Sequence, residues 1–183
     1  SGYFAELKAK LNPHDYNDHE DVVLTPNDPA IIREAKRIGE ITALREAKLI
    51  VLIGIGGSNL GTWSLTAALG TEKEIVYVES VSGTEIKAAL DSLRFAYARG
   101  DKACVIAISK SGTTTETEAN LGIILAELQK LDAQWNERTL VIPDRDSKLW
   151  QLGQSMHLHQ ASIQTVIGGR YSIFTNAGLI PLT

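Results

Sequence analysis

Cysteine is almost absent from this sequence of 183 residues. The single Cys104 excludes an internal disulfide framework and fits a reducing compartment. No apolar run reaches the ~20 residues that a membrane-spanning helix requires, and the N-terminal stretch SGYFAELKAKLNPHD has no uncharged segment of signal-peptide length. The formal net charge of -4 provides no basic surface for nucleic acid or for an anionic membrane. We therefore expect a cytoplasmic protein that binds neither.

Residues 1–47 carry helix signals and no strand signals. The first predicted helix has four apolar residues on one face: Tyr3, Phe4, Leu7 and Leu11. It should end at Asn12 and Pro13, because proline interrupts a helix. A polar connector follows, and Asp28 with Pro29 predicts the start of a second helix. The apolar residues of that amphipathic helix recur at helical spacing: Ile31, Ile32, Ala35, Ile38, Ile41 and Leu44.

From residue 48 onward, apolar strands alternate with segments of helix length. The predicted strands are Leu49–Ile55, Glu74–Val78, Ala103–Ile108, Thr139–Ile142 and a short fifth strand within Met156–Gln160. The predicted helices between them are Ser58–Leu69, Thr84–Phe95, Thr114–Leu131 and Ser147–Gly153. Continuous apolar strands that alternate with helices indicate parallel βαβ units. We therefore predict an α/β fold, a three-layer αβα sandwich with a five-stranded parallel sheet over residues 48–183, preceded by an N-terminal helical segment.

The first strand runs into a glycine loop, in the stretch LIVLIGIGGSNLGT. A dinucleotide fingerprint needs a third glycine where Asn59 stands, although Gly54 and Gly56 match the first two positions and Glu79 resembles the ribose-binding acid. A nucleotide P-loop needs a lysine after the last glycine, and Thr62 occupies that position. A purely structural strand-to-helix turn remains an alternative for the loop taken by itself.

The third strand runs into a second informative loop, ISKSGTTTETEAN. Its five hydroxyl residues surround one glycine and one lysine: Ser109, Ser111, Thr113, Thr114 and Thr115. Thr113 and Glu116 have the spacing of a capping box, in which two side chains satisfy orphan amides at a helix start. One cap needs one hydroxyl, so the surplus favours a phosphate group held by hydroxyls and free amides at the positive end of a helix. Lys110 either adds a charge to this site or points into solvent.

Ligands of open parallel sheets bind beyond the carboxyl ends of the strands. The two hydroxyl-bearing loops should therefore meet at one crevice if the first and third strands are neighbours, and a phosphomonoester is the natural occupant. Asp144 and Asp146 follow the fourth strand, where a turn and a helix start explain them better than a functional role. We find no pattern of metal ligands, and we expect no cofactor.

Four motifs resemble the phosphoglucose isomerase family: IGIGGSNLG, SGTEI, ISKSGTTTET and GGRYSIFTNAGLIPL, in this order. The resemblance covers about residues 49–182. The serine-threonine loop alone would indicate only a sugar isomerase (SIS) domain, a flavodoxin-like module of several sugar-phosphate enzymes and regulators, whereas GGRYS is more specific. The resemblance implies an N-terminal SIS domain of an enzyme that interconverts glucose 6-phosphate and fructose 6-phosphate, truncated before a second SIS domain. The apolar ending GLIPLT fits that expectation.

The resemblance also implies roles for individual residues. Those expected to contact the sugar phosphate are Gly57, Ser58, Ser109, Lys110, Ser111, Gly112, Thr113, Thr114 and Gly169. Arg170 resembles the arginine that stabilises a negatively charged cis-enediolate. Gly168 and Gly169 would let the backbone approach the sugar closely. Asn59 departs from the aspartate or aromatic residue that is frequent in the family, which leaves its role open.

The same resemblance implies that the catalytic glutamate, histidine and lysine lie outside this chain, so that the chain alone binds sugar phosphate weakly and does not isomerise it. Glu116 is better explained by capping, and Glu79 and Glu85 lack a motif. His157 and His159 are more simply explained as structural residues. The family is typically a homodimer that works in glycolysis and gluconeogenesis. A bifunctional phosphoglucose/phosphomannose isomerase, a non-catalytic sensor of sugar phosphates and, more remotely, a dinucleotide oxidoreductase remain alternatives.

Overall fold

Five parallel strands form a single sheet, with helices in the connections between them. The computed structural model describes residues 2–10 and 16–183. The strands are β1 (Ala47–Ile53), β2 (Glu74–Val78), β3 (Lys102–Ser109), β4 (Thr139–Pro143) and β5 (His159–Gln160). The α-helices are α1 (Gly2–Lys10), α2 (Pro29–Gly39), α3 (Thr42–Glu46), α4 (Gly57–Leu69), α5 (Gly83–Ala98), α6 (Thr115–Leu131), α7 (Lys148–Ser155) and α8 (Asn176–Leu179). Three 3₁₀ helices span His19–Asn27, Gly169–Phe174 and Ile180–Leu182.

The strand order is β2-β1-β3-β4-β5, and every neighbouring pair is parallel. The chain moves from β1 to one edge of the sheet at β2, and then returns past β1 to build the other side. The order therefore reverses between β1 and β3, which are hydrogen-bonded neighbours. This arrangement confirms the predicted parallel sheet, and it puts the ends of β1 and β3 side by side at the switch point where such folds bind ligands.

Both faces of the sheet are buried, as the continuous apolar strands predicted. Alternate strand residues such as Val51 and Val105 pack under α5, α6 and α7 on one face. The intervening residues, such as Leu52 and Ile106, pack on the other face with residues of α2, α3 and α8. Cys104 belongs to this second face, where burial raises the pKa of its thiol to about 12. The N-terminal helices α2 and α3 thus share a core with the sheet.

The second predicted helix starts where expected and breaks earlier than expected. The Asp28 side chain accepts a hydrogen bond from the Ala30 amide at 2.7 Å, and Pro29 is the first residue of α2. The prediction of one continuous helix was wrong, because α2 ends at Gly39 and Ile41 is extended before α3 begins. Glycine is a poor helix former, and the turn directs Ala43 and Leu44 of α3 into the core.

Three local predictions need correction or completion. The polar connector contains the 3₁₀ helix His19–Asn27, which begins in a capping box between Asp18 and Asp21. The fifth strand is shorter than its predicted range, because Met156 caps α7 and His157 turns the chain with a φ of 56°. In the first helix, Tyr3 and Phe4 are exposed. The predicted face residue Leu11 and the predicted helix end at Asn12 and Pro13 lie outside the described residues. No helix within residues 2–10 and 16–183 is long and apolar enough to cross a membrane.

Candidate functional site

A pocket of about 390 Å³ opens at the carboxyl ends of three adjacent strands. The residues that line it follow β1, β3 and β4: Ile55, Ser58, Ile108, Ser109, Lys110, Ser111, Thr114, Thr117 and Asp144. Five of them carry a hydroxyl, and only Lys110 and Asp144 carry a charge. The pocket therefore lies at the predicted switch point between β1 and β3, with β4 forming its second flank.

The loop after β1 is held in shape by a buried amide side chain. Asn59 is fully buried on the first turn of α4, and its Nδ2 donates to the carbonyl oxygen of Gly54. A Cβ on Gly54 would lie 2.7 Å from the Asn59 Oδ1 atom, so the turn leaves no room for a side chain. Gly56 has a φ of 56° and caps α4. Asn59 thus has a structural role, and it fixes the turn that presents Ser58 to the pocket.

The loop after β3 depends on Gly112 for its path. Gly112 has a φ of 61°, and a Cβ there would meet the Ser147 hydroxyl oxygen at 2.5 Å. Within the loop, the Ser109 hydroxyl donates to the Thr114 hydroxyl oxygen at 3.1 Å. The Thr113 amide and hydroxyl both donate to the Ser111 hydroxyl oxygen, at 3.3 and 3.2 Å. A left-handed glycine therefore folds the hydroxyl residues into a compact loop.

Helix α6 begins at this loop without a side-chain cap. The expected capping box between Thr113 and Glu116 is wrong: the N-cap is Thr114, and no side chain of residues 2–10 or 16–183 caps the helix. The amides of residues 115–117 find no acceptor in the described part of the chain. Because Thr114 is the N-cap, Glu116 sits one position too early to close the box. The positive end of α6 is left open beside the pocket, which is the arrangement that binds anions.

Thr117 is a pocket residue that the sequence reasoning missed. Its side chain is 1% exposed and lines the pocket, and its hydroxyl oxygen has no hydrogen-bond partner among the described residues. A buried hydroxyl without a partner carries a desolvation cost. An acceptor in the pocket, such as a phosphate oxygen, would satisfy it. The signal in the sequence was its position one turn into a helix whose first residues already carried hydroxyls.

The GGRYS segment docks against the glycine loop. A Cβ on Gly57 would lie 2.4 Å from the Gly169 carbonyl carbon and 2.5 Å from the Arg170 amide nitrogen. The Ser172 hydroxyl donates to the Gly169 carbonyl oxygen at 2.7 Å and reaches the Gly57 carbonyl oxygen at 3.4 Å. Arg170 itself is exposed, and within residues 2–10 and 16–183 no carboxylate pairs with it.

The structure brings five of the predicted site residues into the pocket lining: Ser58, Ser109, Lys110, Ser111 and Thr114. The others lie outside that lining: Gly57, Gly112, Thr113, Gly169 and Arg170. Gly57 and Gly112 shape the two loops, and Gly169 contacts Gly57. Asp144, which was assigned to a turn, lines the pocket. Asp146 has a φ of 65° and does form a turn, directly before the cap residue Ser147 of α7.

The remaining titratable candidates lie elsewhere. The Glu85 carboxylate accepts hydrogen bonds from the Ser80 hydroxyl and from the Glu79 and Ser80 amides, and these bonds lower its pKa. Glu85 therefore braces the loop after β2. His159 lies 3.3 Å from the Glu137 carboxylate, beside the amino end of β4 and away from the pocket. Across the described ranges, no group of three or more His, Cys, Asp or Glu is placed to hold a metal ion.

Comparisons with known proteins show which family the sequence matches. The sequence matches the family model of phosphoglucose isomerase over residues 32–183. A glucose-6-phosphate isomerase of Thermus thermophilus is 35% identical over 159 residues, which are 86% of this chain and 37% of the relative. One of Campylobacter jejuni is 34% identical over 140 residues, covering 74% and 33%. The chain thus spans about a third of the length of the curated relatives it matches.

Solved structures give the same picture of the fold. A hypothetical protein of Thermus thermophilus superposes with a TM-score of 0.82 at 31% identity, over 97% of this chain and 41% of that protein. A glucose-6-phosphate isomerase of Chlamydia trachomatis superposes with a TM-score of 0.73 over 96% of this chain and 33% of that one. The identity to the latter is 22%, so that likeness shows the shared fold only.

Proposed function

The chain belongs to the phosphoglucose isomerase family, and from this premise we propose that it is the sugar-phosphate-binding part of a glucose-6-phosphate isomerase. The whole enzyme would interconvert glucose 6-phosphate and fructose 6-phosphate through a cis-enediolate, without a cofactor. The match to this chain covers only 33% and 37% of the length of the two relatives that carry this name. The proposal therefore assigns this chain substrate binding and charge stabilisation rather than the whole reaction.

One observation carries the proposal: the open amino terminus of α6 faces a pocket rich in hydroxyls. Free amides at the start of a helix attract an anion, and Ser109, Thr114 and Thr117 supply hydroxyl donors around it. Lys110 adds a positive charge to the same lining. A phosphate monoester matches this set of donors. Holding the phosphate at a distance from the reacting carbons orients the sugar for catalysis.

Arg170 is proposed to stabilise the enediolate. Its guanidinium has no ion pair among the described residues, so its charge is available to a ligand. Its backbone is fixed against Gly57, next to the pocket residue Ser58. A fixed positive charge that meets negative charge formed only during the reaction lowers the barrier more than it strengthens substrate binding.

The proton-transferring base is proposed to lie outside this chain. A general base works best when its pKa is near the working pH, and the hydrogen bonds that brace Glu85 lower its pKa instead. Glu116 is exposed at the start of α6 and does not line the pocket. We place the isomerase in the cytoplasm as a homodimer, which is what the family resemblance implies.

Titration of the chain with fructose 6-phosphate tests the proposal. The amide resonances of Ser58, Ser109 and Thr114 should shift in an NMR spectrum, and NADH at the same concentration should leave them unchanged. The variant Ser109→Ala should weaken the response to fructose 6-phosphate. Shifts with NADH alone, or no shift with fructose 6-phosphate, would refute the sugar-phosphate assignment and favour a nucleotide site or a scaffold loop.

A further inference from the structure

Asp144 presents a carboxylate to a pocket that otherwise favours anions. It lines the β4 flank, on the opposite side of β3 from Ser58. Its amide donates to the Lys110 carbonyl oxygen at 3.0 Å, so its backbone is bonded to the loop after β3. Its Oδ1 atom accepts a hydrogen bond from the Thr165 hydroxyl at 2.8 Å. The carboxylate is therefore anchored by one oxygen.

The second carboxylate oxygen of Asp144 accepts no hydrogen bond from the described residues. Within the described chain, no cation lies within ion-pair distance of Asp144 and no donor bonds to its Oδ2 atom. The neighbouring Arg145 does not neutralise it, because the Arg145 guanidinium stacks 5.9 Å from the Trp150 ring and its Nε donates to the Ser162 hydroxyl. The half-buried side chain thus has one free acceptor oxygen at the pocket wall.

The two flanks of the pocket suit opposite ends of a sugar phosphate. On the side of the pocket where α6 begins, hydroxyls and free amides are donors for phosphate oxygens. A carboxylate repels a phosphate dianion, but it accepts strong hydrogen bonds from hydroxyl groups. A ligand with an anionic end and hydroxyl groups would therefore bind with its phosphate at α6 and its hydroxyls toward β4.

We propose that Asp144 accepts a hydrogen bond from a sugar hydroxyl and so selects phosphorylated polyhydroxy compounds over simple phosphate anions. This inference rests on the proposed function, because it assumes that the phosphate binds at α6. On this proposal, the loop after β3 binds any phosphate monoester, whereas Asp144 has a specificity role. Asp144 discriminates by what is attached to the phosphate.

The experiment compares two ligands with the same phosphate ester group. Fructose 6-phosphate carries hydroxyls, and ethyl phosphate carries none. In Asp144→Asn, the affinity for fructose 6-phosphate should fall about tenfold, since a hydrogen bond to a charged group is lost. The affinity for ethyl phosphate should stay unchanged or rise, because a negative charge is removed. Asp146→Asn makes the same chemical change two residues away, outside the pocket lining, and should alter neither affinity.

The outcomes separate this inference from the function on which it rests. If the unmodified chain does not bind fructose 6-phosphate, the proposed function fails and the inference fails with it. If the unmodified chain binds and Asp144→Asn changes both affinities in parallel, or neither, the specificity role is refuted and the function stands. Asp144→Ala serves as a second variant, and loss of the fold in both variants would assign Asp144 to the scaffold and overturn the inference.

Discussion

Gly57 packs against Gly169 so closely that a Cβ atom on Gly57 would lie 2.4 Å from the Gly169 carbonyl carbon. This contact joins two segments that are far apart in the sequence, the glycine loop after β1 and the GGRYS motif. The Ser172 hydroxyl reinforces it through hydrogen bonds to the carbonyl oxygens of both glycines. The turn that presents Ser58 therefore packs directly against the segment that carries Arg170, and a displacement of one segment should displace the other.

Replacing Gly57 with alanine should separate these segments. The added methyl group cannot fit against backbone atoms, and overpacking of this kind costs about 1–3 kcal/mol. We expect the free energy of unfolding in urea to fall by that amount, and the affinity for fructose 6-phosphate to fall as Ser58 moves. Gly122→Ala is the control: it lies in α6 with open space around its Cβ position, so the free energy of unfolding should rise by up to about 1 kcal/mol. Equal stability of Gly57→Ala and the unmodified chain would contradict the contact.

The central strands β1, β3 and β4 were predictable because they are buried on both faces. Continuous apolar runs marked β1 to β4, and the predicted range of β2 agrees with the observed Glu74–Val78. The convergence of the two loops was predictable from topology alone, since the carboxyl ends of neighbouring parallel strands meet at one edge. Ser58 and Ser109 do line one pocket.

Features that depend on long-range packing were not predictable. The contact between the glycine loop and the GGRYS segment was not predicted: a Cβ on Gly57 would lie 2.4 Å from the Gly169 carbonyl carbon. The close approach of a sugar to Gly168 and Gly169 stays a prediction. Asn59 stood out only as a departure from a motif, and its bond to Gly54 emerges only in the folded turn. The position of Thr117 near the start of α6 was a signal in the sequence, but only the folded structure shows that its hydroxyl is buried without a partner among the described residues.

Replacing Thr117 with valine should reduce binding without reducing stability. Valine has the shape of threonine and removes a hydroxyl that has no partner in the described structure, so the free energy of unfolding should not fall and should rise by up to about 1 kcal/mol. If the hydroxyl donates to the phosphate, as we propose, the affinity for fructose 6-phosphate should drop about tenfold. Calorimetric titration and urea unfolding measure the two effects.

Thr139→Val is the matched control and should give the reverse result. The Thr139 hydroxyl is buried far from the pocket and donates to the Trp135 carbonyl oxygen at 2.8 Å. Its removal should lower the free energy of unfolding by about 1 kcal/mol and leave binding intact. Identical behaviour of the two variants would exclude a ligand-binding role for Thr117.

Glu127 should make stability dependent on pH in the acid range. Arg94 donates to its carboxylate at 2.7 Å and Lys130 at 2.9 Å, and these hydrogen bonds lower the pKa of Glu127 to about 2. An unfolded glutamate has a pKa near 4.3. Because the folded pKa is the lower one, the stabilisation is complete above about pH 5 and is lost as the pH falls toward 2.

The measurement compares the unmodified chain with Glu127→Gln. The difference in their free energies of unfolding should be constant between pH 5 and pH 7 and should shrink toward pH 2. The control makes the same comparison in the absence of Arg94, between Arg94→Met and the double variant Arg94→Met with Glu127→Gln. Most of the pH-dependent difference in the free energy of unfolding should then disappear. A difference that persisted unchanged at pH 2 would show that the ion pairs of Glu127 do not contribute to the fold.

Arg170 should matter for turnover and not for the fold. Its side chain is exposed and makes no ion pair among the described residues, so Arg170→Ala should change the free energy of unfolding by less than about 0.5 kcal/mol.

The kinetic test of Arg170 needs the whole isomerase to which, on our proposal, this segment belongs. There, the loss of a positive charge that acts on the enediolate should lower kcat about a hundredfold and change KM much less. Arg145→Ala removes an exposed arginine that stacks on Trp150 and does not line the pocket, and this variant should retain normal turnover. Unchanged kcat in Arg170→Ala would remove the role that we assign to this arginine, and a rise in KM alone would make it a substrate-binding residue instead.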